Sequence, residues 1–113
     1  GALKIKEIDY IHAEGFSASE MKHGVIALID ETTSVLYMLP NDSIYLKNKS
    51  NYEELKSRCG NIILLDNPEF LDDELLVPFC FVIQMQLLSY YIGLIKGTSI
   101  DKPRNLAKSV TVE

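Results

Sequence analysis

Cysteine is scarce in this sequence, and the little there is forms no motif. Cys59 and Cys80 are the two cysteines. They make no CxxC and have no metal-type spacing, which excludes a paired-thiol zinc site and a thioredoxin-like redox centre. No signal peptide precedes them, so they are read as reduced thiols of a cytoplasmic protein. Positive charge is also in short supply. Eleven Lys and Arg face 16 Asp and Glu, for a net charge of −5. No basic cluster stands out, so a nucleic-acid partner is excluded. An acidic chain that binds an anion must supply local positive charge or helix N-termini. Long apolar runs are limited to residues 79–95, a stretch near the lower length limit for a membrane span. Gln84, Gln86 and Ser89 interrupt it. It reads as a buried core helix, with no membrane partner. There is no internal repeat and no low-complexity segment.

What is present fits one α/β domain of 113 residues. Residues 2–10 read as a helix, with Leu3, Lys4, Glu7, Ile8 and Ile11 sharing or adjoining one face. Lys4 and Glu7, three apart, can touch; such pairs are usually of little consequence. Ser17 or Ser19 with Glu20 echoes a capping box for a short helix through His23. Residues 34–39 form a compact apolar run ended by Pro40, read as a buried strand. Asn41, Asp42 and Ser43 offer a cap to a helix reaching about Arg58, with Tyr45, Tyr52, Leu55 and Cys59 on one stripe. Gly60 occupies the position of a C′ glycine. Residues 61–65 form a second strand, and strand–helix–strand implies a parallel pair with a right-handed crossover. Residues 67–74 read as an acidic loop, and Pro78 opens a long helix to about Lys96. That helix is apolar nearly all round, and the other elements are too few to cover it. Its cover is expected from further polypeptide, a second subunit, or both. The first residue, Gly1, falls inside a helix, which suggests a piece of a longer chain.

The last thirteen residues, Asp-Lys-Pro-Arg-Asn-Leu-Ala-Lys-Ser-Val-Thr-Val-Glu, resemble closely the C-terminal tail of the glutamine–fructose-6-phosphate aminotransferases (glucosamine-6-phosphate synthases). By composition alone they are an ordinary polar tail after a helix-stopping proline. Three further segments resemble the same family, in its order. They are Gly1-Ala-Leu-Lys-Ile-Lys-Glu, then His12-Ala-Glu with the later Ser-Glu-Met-Lys-His-Gly, then Leu87-Leu-Ser-Tyr-Tyr-Ile-Gly-Leu-Ile-Lys-Gly-Thr. The resemblance implies the second sugar-isomerase (SIS) subdomain, a flavodoxin-like three-layer α/β fold with a parallel sheet. Residues 1–100 would be part of that subdomain and 101–113 an active-site tail.

The roles that follow are those the resemblance implies. Lys108 forms an imine with open-chain fructose 6-phosphate, which requires an unprotonated amine. Glu7 moves a proton between C1 and C2. His23, supplied across a homodimer interface, assists ring opening, suited by an ordinary pKa near 6.5. Lys4 sets the charge of Glu7 or aids proton transfer. Ala107, Lys108 and Glu7 contact the substrate, and Arg104 and Asn105 hold the tail. His12 is read as structural. No cofactor and no metal are implied. The family's serine- and threonine-rich phosphate loop and its glutaminase domain lie outside this sequence. Residues 66–78 are too short for the strand the family has there. Three rival readings are a phosphosugar-binding regulatory module, a sugar-phosphate isomerase or deglycase without amidotransfer, and a unit for dimerisation and packing alone.

Overall fold

The computed structural model describes residues 1–68 and 71–106. These residues group into two compact units, Phe16–Phe81 and Gly1–Gly15 with the described residues from Val82 onward. The helical and strand elements are α1 (Ala2–Lys4), a π-helical turn (Ile5–Asp9), 3₁₀ turns at Met21–His23 and Val25–Leu28, β1 (Ser34–Leu39), α2 (Tyr45–Lys56), β2 (Asn61–Asp66) and α3 (Val77–Lys96).

The unit Phe16–Phe81 is built on a parallel pair. Ser34 lies beside Asn61 and the register runs to Leu39 beside Asp66, so the expected strand–helix–strand arrangement is present. Alternate residues of β1 point to one face. Tyr37 and Leu39 on that face are 4% and 2% exposed, whereas Met38 on the other is 48% exposed. The expected buried strand is thus buried on one face, where α2 covers the pair. Leu55 of α2 is 1% exposed and completes the core with Tyr37 and Leu39. Tyr45, Tyr52, Met21 and Ile62 pack around them. The Tyr37 hydroxyl donates to the Asn48 carbonyl at 2.8 Å, and its ring meets that of Tyr52 at a centroid distance of 5.4 Å. Burial pushes the Tyr37 phenol above its ordinary pKa.

Local chemistry explains where these elements begin and end. The Asp42 carboxylate accepts the Ile44 N–H at 3.0 Å and turns the chain into α2. At the far end, Ser57 caps α2 in a right-handed conformation. Gly60 is therefore not the C′ glycine the sequence suggests. It is needed because a Cβ there would collide with the Glu31 carbonyl oxygen. The left-handed role falls to Gly97, φ 71°, at the end of α3. There Thr98 N–H reaches Gly93 O at 3.0 Å and Gly97 N–H reaches Leu94 O at 3.2 Å, the two bonds of a Schellman motif.

The other unit joins the N-terminal segment to α3. The chain does not continue as a regular α-helix from Ala2 to Tyr10. After Lys4 it widens into the π-helical turn, and Tyr10 ends it at φ 55°, ψ 35°. Ile5 and Asp9 are buried at 7% and 0% exposure, while Leu3 and Ile11, expected to share or adjoin one face with Lys4, Glu7 and Ile8, are 58% and 40% exposed.

Helix α3 is long and apolar enough to cross a membrane by length and composition, and 22% of its most apolar window is buried. Its interior polar residue Ser89 is 1% exposed and bonded to Asp9, as in a packed protein helix. Phe79, Val82, Ile83, Leu87, Tyr91 and Ile95 are all more than half exposed or close to it, between 50% and 86%. This is the shortage of cover that the sequence anticipated.

Truncating Leu55 to Ala should lower unfolding stability by about 2–5 kcal/mol. The same change at Leu46, which is 81% exposed, should stay within about 0.5 kcal/mol. Urea denaturation followed by circular dichroism checks both; equal losses would show that the core is placed wrongly.

Candidate functional site

The N-terminal turn is fastened to α3 by a buried carboxylate. The Ser89 hydroxyl donates to Asp9 Oδ2 at 3.0 Å, and Lys96 Nζ donates to the Asp9 backbone carbonyl at 2.7 Å. Asp9 Oδ1 is buried without a hydrogen-bond partner among the described residues. It has room because Gly93 lies opposite, where a Cβ would stand 3.2 Å from that oxygen. A buried polar group held by so few bonds leaves the segment little freedom to slip, since breaking either contact exposes an unsatisfied partner.

This anchor sets the direction of the residues just before and after it. Glu7 is partly buried, with its side chain 26% exposed, and Lys4 Nζ donates to Glu7 Oε2 at 2.8 Å. Glu7, Tyr10 and His12 line an open hollow of about 400 Å³. Its remaining wall includes Lys6, Arg104 and Asn105. The Arg104 guanidinium lies over the Tyr10 ring, 3.9 Å from its centroid. The hollow thus combines an ionisable carboxylate with cationic groups, a mix suited to moving a proton beside a polar, oxygen-rich ligand. His12 Nε2 sits 3.6 Å from Glu14 Oε1, and both side chains are largely in solvent.

His23 belongs to the other unit, on the 3₁₀ turn Met21–His23. Its side chain is exposed. Gly24 follows at φ 149°, ψ −47°, a conformation that side chains rarely adopt. The turn is held from below, where Met21 packs against the core. It is held from the side by Lys22 Nζ, 2.6 Å from Glu54 Oε2 of α2. The expected capping box does not form. Ser17 Oγ pairs with Ser19 Oγ at 2.9 Å, and the Glu20 N–H bonds to the Ser17 carbonyl instead. A second hollow, about 500 Å³, opens in this unit beside Met38 and Pro40 at the carboxyl end of β1, where α/β sheets commonly receive ligands.

Among the sequence-derived candidates, then, Lys4 and Glu7 are brought together and Glu7 lines a hollow. His23 lies in the separate unit, and Ala107 and Lys108 fall outside the described residues. Asp9, Ser89 and Tyr10 were not foreseen. Among the described residues no group of three or more His, Cys, Asp or Glu side chains is placed to hold a metal ion.

The parallel strand–helix–strand unit defines the class. This chain belongs to the SIS domain family, whose family model matches residues 1–70. Relatives extend the likeness to the whole chain. Glutamine–fructose-6-phosphate aminotransferase [isomerizing] of Idiomarina loihiensis is 48% identical over 127 residues, covering 100% of this chain and 21% of that protein. The protein of the same name from Escherichia coli (strain K12) is 45% identical, again over all of this chain and 21% of its own length. The chain therefore spans about one fifth of these relatives. Its 113 residues are 14 fewer than the 127 over which they align. Among solved structures, the C-terminal domain of glucosamine-fructose-6-phosphate aminotransferase from Francisella tularensis superposes with a TM-score of 0.80 at 38% identity. It covers 90% of this chain and 33% of that one.

Hydrogen bonding to Lys22 is the main cause that lowers the Glu54 pKa below its ordinary value of 4.5. A depressed carboxylate contributes stability above its unfolded pKa, and that stability is lost as pH falls through the folded one. The tether on the His23 turn should therefore hold above pH about 4.5 and release below it. Glu54→Gln should remove this acid dependence, read from the NMR shifts of Lys22 and His23 amides between pH 6 and pH 3. An unchanged profile in the variant would contradict the tether.

Proposed function

We propose that this chain is the C-terminal part of the isomerase portion of a glutamine–fructose-6-phosphate aminotransferase, in a cytoplasmic homodimer. The observation that carries the reading is the match of relatives so named over all 113 residues, the tail included. The placement of Glu7, bonded to Lys4, on a hollow whose wall reaches Leu106 supports it. Leu106 is two residues from Lys108, and two residues of extended chain span at most about 7 Å.

In this reading Lys108 attacks the carbonyl carbon of open-chain fructose 6-phosphate and loses water to give an imine. Ammonia derived from glutamine then displaces the lysine at that carbon. Glu7 takes a proton from C1 and returns it to C2, converting the 2-ketose frame to the 2-amino-aldose, glucosamine 6-phosphate. A carboxylate within about 3 Å of the carbon-bound proton suffices for this shuttle. Lys4, on the turn before, donates to the Glu7 carboxylate and aids the proton transfer. His23 of one subunit exchanges a proton with the ring oxygen in the site of its neighbour. Ala107 and Lys108 contact the sugar. The glutaminase and the phosphate-binding loop belong to the preceding part of the enzyme, so residues 1–113 alone do not catalyse the full reaction. The exposed apolar side of α3 is where the rest of the assembly packs.

A second reading, a sugar-phosphate isomerase or deglycase, draws on the likeness to glucosamine-6-phosphate deaminase from Thermotoga maritima, with a TM-score of 0.77 and 27% identity. It differs in needing no glutamine.

Borohydride reduction of the full-length enzyme with fructose 6-phosphate should add one sugar, located on Lys108 by mass spectrometry, and Lys108→Arg should abolish the adduct. Replacing Glu7 by Gln should lower kcat for glucosamine 6-phosphate formation at least about 100-fold while trapping continues. A sugar adduct elsewhere, or turnover independent of glutamine, would overturn the proposal.

A further inference from the structure

The first residues of the tail are fastened at the wall of the hollow. Arg104 is held by one side chain at two points. Its guanidinium stacks on the Tyr10 ring at 3.9 Å, and its backbone N–H donates to the Tyr10 hydroxyl oxygen at 3.0 Å. Tyr10 and Asn105, at φ 55° and 60°, are the non-glycine residues with positive φ among those described. Such conformations are uncommon and persist where surrounding contacts fix them. Here both occur at one junction, and both residues line the hollow that Glu7 enters. Tyr10 is not free to follow the tail. It succeeds Asp9, whose carboxylate and carbonyl are bound to Ser89 and Lys96 of α3.

We infer that Tyr10 and Arg104 are positioning residues that clasp the root of the tail, fixing its point of departure so that the Lys108 amine is presented to the sugar beside Glu7. The inference rests on the reading of Lys108 as the imine-forming group. A charge stacked on a ring and one hydrogen bond together change the population of a clasped state by about ten- to thirtyfold. The bonds act on Lys108 through four residues of chain, from Arg104 onward. Losing them therefore affects how often the amine is in place, and leaves the sugar-phosphate contacts of the rest of the enzyme intact.

The full-length enzyme provides the test, with borohydride trapping of fructose 6-phosphate and steady-state kinetics measured side by side. Tyr10→Leu removes ring and hydroxyl together and should slow trapping and kcat about tenfold, with the KM for the sugar changed less than about twofold. Tyr10→Phe keeps the stack and gives up only the acceptor, and should slow both about three- to fivefold. Trypsin cleavage after Arg104 should speed up in the same order, Leu before Phe. Wild-type trapping rates in both variants would overturn the inference, as would a loss appearing wholly in KM. Lys108→Arg separates the two levels. If it abolishes trapping while Tyr10→Leu leaves the rate unchanged, the clasp fails and the imine reading stands. If Lys108→Arg still traps sugar, the imine reading fails and the clasp loses its purpose.

Discussion

A single buried carboxylate holds the N-terminal turn in place, and the candidate site depends on it. Asp9 is fully enclosed, bonded through its side chain to Ser89 and through its carbonyl to Lys96. A buried carboxyl with one oxygen unpartnered among the described residues is costly. Its presence is understandable if specificity of placement is what it supplies. Within the π-helical turn Ile5 and Asp9 pack inward, and Glu7 is left at the rim with Lys4 against it. Single π turns occur often at functional sites, since the extra residue re-aims a side chain without ending the helix. The abrupt end at Tyr10 then places an aromatic ring where the tail returns.

The site is thus assembled from both ends of the sequence onto one helix. Helix α3 carries Ser89, Gly93 and Lys96 for the N-terminal turn, and its Schellman end at Gly97 redirects the chain toward Tyr10. Gly93 serves twice: it admits the Asp9 carboxylate, and its carbonyl accepts Thr98 in the helix stop. The parallel pair β1–β2 with α2 has a different task. It forms the core of the other unit and supports the turn that bears His23.

Much of this was legible in the residues. The strands at Ser34–Leu39 and Asn61–Asp66 and the helices at Tyr45–Lys56 and Val77–Lys96 follow from apolar runs, turn residues and a proline at the start of the long helix. The α3 face left uncovered was visible as an excess of apolar residues. The π turn was not legible, because the spacing of residues 2–11 fits an ordinary helix and the wider winding leaves no mark in it. Gly60 was misread because close approach of Glu31, a contact between distant residues, leaves no local signal. The roles of Glu7, His23 and Lys108 came from resemblance to a family, since spacing alone shows only that Lys4 and Glu7 share a turn.

Under the proposed function, a turn locked onto α3 presents a carboxylate to a sugar held by the tail lysine. A crystal structure of the full-length enzyme with open-chain fructose 6-phosphate tests this most directly. The account expects Lys108 Nζ bonded or in contact with the sugar carbonyl carbon, and the Glu7 carboxylate about 3 Å from C1 or C2 of the same molecule. A bound sugar contacted by neither group, with the chain end directed into solvent, would contradict it.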